Sequence, residues 1–499
     1  MATAIALGIG ATAAASPILN ASFPRSIPPS WALAAPEGSS SAFVHLFEWP
    51  WADVAKECEQ WLGPKGFTAV QVSPPNEHIS GSAWWTRYQP VTYKLTSRSG
   101  DESAFADMVK RCRKVGVGIY ADAVINHVAA GSGVGVAGSK YGNRATPIFS
   151  ANDMHHNNGD TNSNCAVSNY FDKFNVQSCD LVGLPDLCTS CDYVQRTISD
   201  YLNHMGRIGI AGFRIDAAKH MDDGELSALL RRVNSSLWRF QEVISGNNEA
   251  VRVDMYYGSG AVTEFNYARE LAPTFIDDDK LGYLGGFGER WGLMPRQNAV
   301  VFLDNHDTQR GEARLTYRNG KLYQLANIFM LAYPYGYPKV MSSYYFDNHD
   351  QGPPDSPAGC SGRSGPSAGT LAANVSAPAG GGWVCEHRWT AIANMVAWRR
   401  SAGSADVTNF AAPIRNAIAF CRGSTACLAI NRDGSSSWHA QLKFPLPPGD
   451  YCNVIRSDDV ASCSTVRVSA GGSVSVEVPP MDAVAIHIGK RKTMTEIFM

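Results

Sequence analysis

Gly212-Phe-Arg-Ile-Asp-Ala-Ala-Lys-His220 has the form of a strand that ends in chemistry. The apolar run closes at Ile215, and Asp216, Lys219 and His220 follow within five positions. Three other segments share this plan: Asp122-Ala-Val-Ile-Asn-His127, Phe240-Gln-Glu242 and Phe302-Leu-Asp-Asn-His-Asp307. Any one of them would more often be a capped turn than a site. Four in order change the odds: in a barrel of eight parallel strands, polar residues at the carboxyl ends of separate strands meet in one place.

The surrounding chain supports that reading. Ala42–Phe47, Ala69–Val72 and Gly118–Val124 read as buried strands, with helices expected over Asp53–Leu62 and Ser103–Val115. Strands alternating with helices argue for a parallel sheet covered by helices. From Ala129 to about Asp180, Gly, Ser and Asn replace periodic apolar residues, as in an irregular insertion rather than a loop. Helical periodicity returns at Tyr193–Met205, strands are expected at Ile208–Ile215, Phe240–Ile244 and Ala299–Leu303, and helices at Leu322–Ala332 and Trp389–Arg399. Short alternating runs follow, at Ala417–Phe420, Ala426–Ile430 and Val474–Val478.

The expected architecture is therefore α/β: a (β/α)8 TIM barrel over 41–128 and 191–405, with an irregular subdomain inserted over 129–190. An all-β Greek-key sandwich follows over 409–489, with 1–40 as leader and linker and 490–499 as tail.

The net charge of −2 gives no reason to expect nucleic acid or an anionic membrane as partner. Twelve Cys, an even number, suit an oxidising compartment. Ala2–Ala15 is a small-residue apolar run of about the length of a signal-peptide h-region, although no Lys or Arg precedes Arg25. No later run reaches the ~18 apolar residues of a membrane span. Asn20, Asn234 and Asn374 open glycosylation sequons. Gly133-Val-Gly-Val-Ala-Gly138 fits a dinucleotide-loop pattern but lacks the strand and helix that would give it meaning.

The four strand-end segments resemble the signature regions of the alpha-amylase family of glycoside hydrolases. The resemblance runs from about Val44 to Ile488. It is closest to animal-type and related bacterial members through Gly63-Pro-Lys-Gly-Phe67, Gln71-Val-Ser-Pro-Pro75, Trp84-Trp-Thr-Arg-Tyr88-Gln-Pro90, Leu181-Val-Gly-Leu184 and Phe287-Gly-Glu-Arg-Trp291-Gly292. It implies endo-acting, retaining hydrolysis of alpha-1,4 bonds in starch, glycogen and maltooligosaccharides by a secreted monomer. Asp216 would be the nucleophile, Glu242 the acid/base and Asp307 the third carboxylate. A retaining pair sits ~5–5.5 Å apart, so that attack and protonation flank one bond. Arg214, two residues before Asp216 on the same strand face, supplies a positive charge.

By the same resemblance, Trp84, Trp85, Tyr88 and Gln89 form the stacking platform and first-sugar contacts, and His127, Arg214, Lys219, His220 and His306 line the cleft. From the residues alone, Trp84-Trp85 reads rather as core. A structural Ca2+ is implied at Asn126 and Asp186 with carbonyls of Gln177 and His220, an oxygen set that suits a hard cation. Chloride is implied at Arg214, Asn305 and Lys339. Lys339 stands where Arg is usual, and a point charge in place of a fork predicts weaker binding. The glycine-rich loop of animal members is absent after Gly311, where Glu312-Ala-Arg-Leu315 follows directly.

The resemblance also implies the bridges Cys58–Cys112, Cys165–Cys179, Cys360–Cys385 and Cys452–Cys463. The spacing of the rest suggests Cys188–Cys191 and Cys421–Cys427, with connectivity open. Two rival readings remain: a transglycosylase or maltooligosaccharide-forming enzyme on the same fold, and a non-catalytic glucan-binding protein. The intact carboxylates argue against the second.

Overall fold

A computed structural model describes residues 38, 40–355, 359, 360, 365 and 382–492. The leader run and the sequons at Asn20 and Asn374 lie outside the described residues. Asn234 is exposed on a loop.

Eight strands close into a parallel barrel in sequence order. They are β1 (Phe43–Leu46), β2 (Ala69–Val72), β3 (Gly118–Ala123), β4 (Gly212–Ile215), β5 (Trp238–Gln241), β6 (Ala261–Thr263), β7 (Ala299–Val301) and β8 (Tyr337–Ser342). β1 pairs with both β2 and β8, so no edge remains. The covering helices follow local rules. In Glu102–Lys114, Asp101 caps the start by accepting from the Ala104 N–H, and Phe105, Met108, Val109 and Cys112 form the buried face. Arg111, Arg113 and Lys114 sit in its last turn, where a helix favours cations.

Side chains alternate along each strand, so the barrel interior is layered. Phe43, Tyr120, Trp238, Phe240 and Tyr337 fill the floor, with neighbouring ring centroids such as Phe43–Tyr337 4.6 Å apart. Each such ring contributes about 1.5–3 kcal/mol by burial. Above them the inward residues turn polar: His45, Gln71, Asp122, Arg214 and Lys339, all buried. An apolar floor below and charge above leave the chemistry at the carboxyl end of the strands.

Three expectations are corrected, and two barrel strands had no counterpart among them. The strand expected at Ile208–Ile215 starts only at Gly212, because helix Asp192–Ile208 runs on until Gly209 (φ 107°) ends it in the left-handed conformation. The helix expected over Asp53–Leu62 starts at Trp51, and its last turn, Cys58–Leu62, winds as a π-helix. β6 was not read because it is three residues long, nor β8 because Pro338 and Lys339 interrupt its apolar pattern. The tail does not begin at 490: Lys492 N–H donates to Asp450 O (2.7 Å) and Lys490 Nζ to Asp458 O (2.6 Å).

Residues 129–190 hold a two-residue hairpin pairing Gly133–Val134 with Lys140–Tyr141, the helix Lys173–Ser178 and single 3-10 turns. A bridge between His127 and Asp186 ties the far end of this segment to the end of β3.

After the barrel, β9 (Val407–Ile414), β10 (Ala417–Arg422), β11 (Ala426–Asn431) and β16 (Asp482–His487) form an antiparallel sheet in that order. The pairs β12 (Trp438–Lys443) with β15 (Ser473–Val478), and β13 (Gly449–Cys452) with β14 (Thr465–Val468), complete the domain. Its core includes Trp438, Phe444, Tyr451, Val474 and Ile486. Six disulfides join the pairs named from the sequence, including Cys188–Cys191 and Cys421–Cys427. Among the described residues no helix is long and apolar enough to cross a membrane.

Candidate active site

Arg214 organises the strand ends. Register sets it opposite Asp122 on β3 and Phe240 on β5. Its Nη1 donates to Asp122 Oδ1 (2.7 Å) and Oδ2 (2.9 Å) and to Asp216 Oδ1 (2.8 Å). Its Nη2 meets Glu242 Oε1 at 2.5 Å. One guanidinium thus spans both carboxyls expected to react. The backbone N–H of Ala217 holds the other oxygen of Glu242 at 3.0 Å, and Ala217 takes a left-handed φ of 46° to do so.

The electrostatics follow from burying three acids with one cation. Burial and the neighbouring carboxylates push Asp122 and Asp216 up, while Arg214 opposes both shifts. Asp307 is also raised, to about 7, by burial and then by Glu242. Its side chain is 40% exposed, so water in the open site limits that shift.

His306 stands between Tyr88 (stacked, 5.1 Å) and Phe47 (4.8 Å), with Nε2 3.3 Å from Asp307 Oδ2. Burial keeps it neutral by lowering its pKa well below the usual value. His127 is likewise lowered, to about 4, by burial. Its Nε2–H donates to Tyr88 O (2.9 Å) and its Nδ1 accepts from Asn126 Nδ2 (3.3 Å). A sugar hydroxyl would therefore have to displace one of these partners.

The tryptophans divide. Trp84 is buried and donates through Nε1 to His349 O (2.8 Å), whereas Trp85 is 36% exposed. Tyr88 OH donates to Asp122 Oδ2 (3.0 Å), and Gln89 Oε1 accepts from Ala130 N–H (3.2 Å). Lys219 Nζ donates to Ile244 O (2.7 Å) and pairs with Glu249 (2.5 Å). His220 Nδ1–H donates to Val176 O (2.9 Å), joining β4's end to the inserted segment.

The residues expected to hold a cation offer it unpaired oxygens. Asn126 Oδ1 and Asp186 Oδ1 are buried acceptors with no hydrogen-bond partner. Leu187 N–H donates to Asn126 O (2.9 Å), so the two segments run side by side. Two orphaned oxygens fit a missing cation better than a finished hydrogen-bond network. Asp186 Oδ2 lies 2.6 Å from His155 Nδ1, and burial raises the Asp186 carboxyl to about 7. Gln177 uses its side-chain amide on Met221 O and Tyr256 OH. A second cluster, Glu57, Cys360 and His387, is already committed: Cys360 is disulfide-bonded, and His387 and Arg388 hold Glu57.

The anion position also fits. Lys339 is buried, with Nζ 4.7 Å from the Phe302 ring centre and 5.8 Å from that of Phe240. No carboxylate lies within salt-bridge distance of it among the described residues. Burial, with Arg214's charge, lowers its pKa to about 7. Asn305 Oδ1 accepts from Asp307 N–H (3.0 Å) and Thr308 N–H (2.7 Å), fixing the turn that carries Asp307.

Relatives share this chain over most of its length. An alpha-amylase of Streptomyces violaceus is 43% identical over 92% of this chain and 75% of its own. That of Tribolium castaneum is 42% identical over 90% and 94% respectively. The chain belongs to the alpha-amylase family. The family model for the alpha-amylase catalytic domain matches residues 65–236, and that for the C-terminal all-beta domain matches 408–489. The solved alpha-amylase I of Eisenia fetida superposes with a TM-score of 0.81 at 35% identity, covering 90% of this chain and 97% of its own. A gamma-CGTase from an alkalophilic Bacillus clarkii shares the fold at a TM-score of 0.62 and 17% identity. This member of the amylase family is therefore a glycoside hydrolase that acts on alpha-1,4 glucans.

Several partners were not assigned from the sequence. Asp122 opens a quoted segment, yet only the register reveals it as Arg214's bidentate counter-ion. Glu249 and His155 lie in irregular stretches, where no spacing rule points to Lys219 or Asp186.

Proposed function

We propose that the protein cuts internal alpha-1,4 bonds of starch, glycogen and maltooligosaccharides with retention, by double displacement. The observation that carries this is the single Arg214 fork joining Asp216 to Glu242, with Asp307 opening beside them. In the first step Asp216 attacks the anomeric carbon while Glu242 protonates the departing oxygen. The glycosyl ester is then opened by a water whose proton Glu242 takes. Arg214 holds Oδ1 of Asp216, which leaves Oδ2 as the attacking oxygen. Asp307 and His306 hold hydroxyls of the distorted ring, and Trp85 and Tyr88 supply flat walls. A Glu-to-Gln variant of the Eisenia fetida enzyme has been solved with maltohexaose, which supports a linear alpha-glucan as ligand here.

Asn126 and Asp186, with the Gln177 and His220 carbonyls, would hold Ca2+. Bound there, the ion supplies charge that pins the inserted segment to the ends of β3 and β4. Arg214, Asn305 and Lys339 would hold chloride, whose negative charge would offset the two cations beside Glu242. Six disulfides support action in an oxidising, extracellular setting, and the proposed state is a monomer.

Glu242→Gln is the test. The expected result is a fall in kcat on starch on the order of 10²- to 10⁴-fold with glucan binding retained. Equal release of reducing sugar by parent and variant would exclude catalysis at this site.

A further inference from the structure

The turn that begins at Asp307 is held from two sides. Inward, Gln309 Nε2 donates to Asp304 Oδ2 (2.7 Å) and Ser343 Oγ (2.6 Å), deep beneath β7 and β8. Outward, Arg310 lies among aromatic faces. Its guanidinium carbon is 4.3 Å from the Phe346 ring centre, 4.9 Å from Trp84 and 5.6 Å from both Phe47 and Tyr344. Its nitrogens are spent on three acceptors: His306 O, His349 O (3.1 Å from Nε) and Tyr344 OH (2.9 Å from Nη2).

Two of these contacts lead into the site. His306 O belongs to the residue beside Asp307. His349 O also accepts from Trp84 Nε1 at 2.8 Å, so one carbonyl joins Arg310 to the tryptophan. The chain after the turn is short and folded back: Glu312 N–H and Ala313 N–H both donate to Thr308 O, and Glu312 pairs with Arg269. No long loop follows to brace the turn.

We propose that Arg310 is a positioning residue. It locks the His306–Asp307 turn to the buried Trp84, whose ring meets Tyr88 edge-on (5.9 Å), so that one side chain sets both the third carboxylate and the backing of the Tyr88 wall. A planar fork among aromatic rings can do this because cation–π contacts and three directed hydrogen bonds fix its orientation together. This rests on the catalytic reading of Asp307 given above.

The charge has a second consequence. The groups that face Asp307 are His306 and Arg310 on its own turn, with Arg214, Asp122 and Lys339 from neighbouring strands, Glu242 just past one, and Tyr88 from the 3-10 turn Trp84–Tyr88. Arg310 and Arg214 favour its ionised form, and the carboxylates oppose it.

The test is steady-state hydrolysis of a defined maltooligosaccharide across pH by the full chain and by Arg310→Met, Arg310→Lys and Tyr344→Phe, with unfolding curves as folding controls. Arg310→Met is expected to lower kcat on the order of 10- to 100-fold, as a displaced site residue does. It should also move the acidic limb of kcat/KM to higher pH, because Asp307 loses a cation. Arg310→Lys should restore the limb but not kcat, since an ammonium keeps the charge and loses the fork. Tyr344→Phe should lower kcat and leave the limb in place.

A folded Arg310→Met with the parental limb and kcat within about twofold overturns the proposal. If that variant does not fold, parental kcat in both Arg310→Lys and Tyr344→Phe overturns it instead. Asp307→Asn separates the two readings: full activity there removes the catalytic assignment itself, whatever Arg310 does.

Discussion

Replacing Arg214 with Met should destabilise the protein strongly, and more so as pH rises. The guanidinium is 2% exposed and makes four contacts of 2.5–2.9 Å with Asp122, Asp216 and Glu242, whose side chains are 0%, 9% and 10% exposed. Removing one partner of a buried ion pair costs about 3–5 kcal/mol, because the other charge stays buried. Here three acids would lose the cation that contacts them, leaving Lys339 to act on Asp122 and Glu242 only from beyond salt-bridge distance. They can relieve this only by binding protons.

Asp122 and Asp216 already hold protons more tightly than free carboxyls, through burial, and Arg214 is the main influence pulling the other way. In the variant their native pKa values rise further above the unfolded value of about 3.9. A native state that binds more protons than the unfolded one loses stability as pH increases. The gap between variant and parent should therefore be small near about pH 4 and widen by about 1.4 kcal/mol per pH unit for each proton involved. It should level off once pH exceeds the variant's native values.

The assay is urea unfolding of parent, Arg214→Met and Arg214→Lys at several pH values, followed by tryptophan fluorescence and circular dichroism. Arg214→Lys keeps the charge and should recover part of the loss at high pH, but not the fork that spans Asp216 and Glu242. If Arg214→Met unfolded at the parental midpoint near about pH 8, the three acids would not depend on this cation, and the electrostatic account of the site would be wrong.

Two further outcomes are expected. Chelation should lower the thermal midpoint and speed proteolysis within 129–190, and Asp186→Asn should blunt both responses; a midpoint insensitive to chelator would remove the cation from Asn126 and Asp186. The rate in chloride relative to gluconate should decline in the parent as pH rises through about 7, where Lys339 loses its proton, and should persist to higher pH in Lys339→Arg; identical profiles would exclude Lys339 as the anion's partner.

Much of this was legible in the chain alone. The strand ends at Asp216, Glu242 and Asp307 could be read because a buried strand leaves an apolar run, and four such runs with polar tips in order are far more telling than any one of them. The half-helical covering and the all-β C-terminal domain were legible for a similar reason, since periodicities of 3.6 and 2 are local. What stayed hidden was the hydrogen bonding between polar side chains delivered by different strands. Asp122 and Arg214 are 92 residues apart and meet only because barrel closure sets their register. Arg310 and Trp84 meet through the carbonyl of His349, a backbone atom that no side-chain pattern encodes. The division of Trp84 from Trp85, one buried and one at the surface, is likewise set by packing, since neighbouring positions in a 3-10 turn point different ways. Sequence fixes which groups are available and roughly where each strand delivers them; their protonation and pairing are settled when closure of the barrel strips away water and brings distant charges within reach of one another.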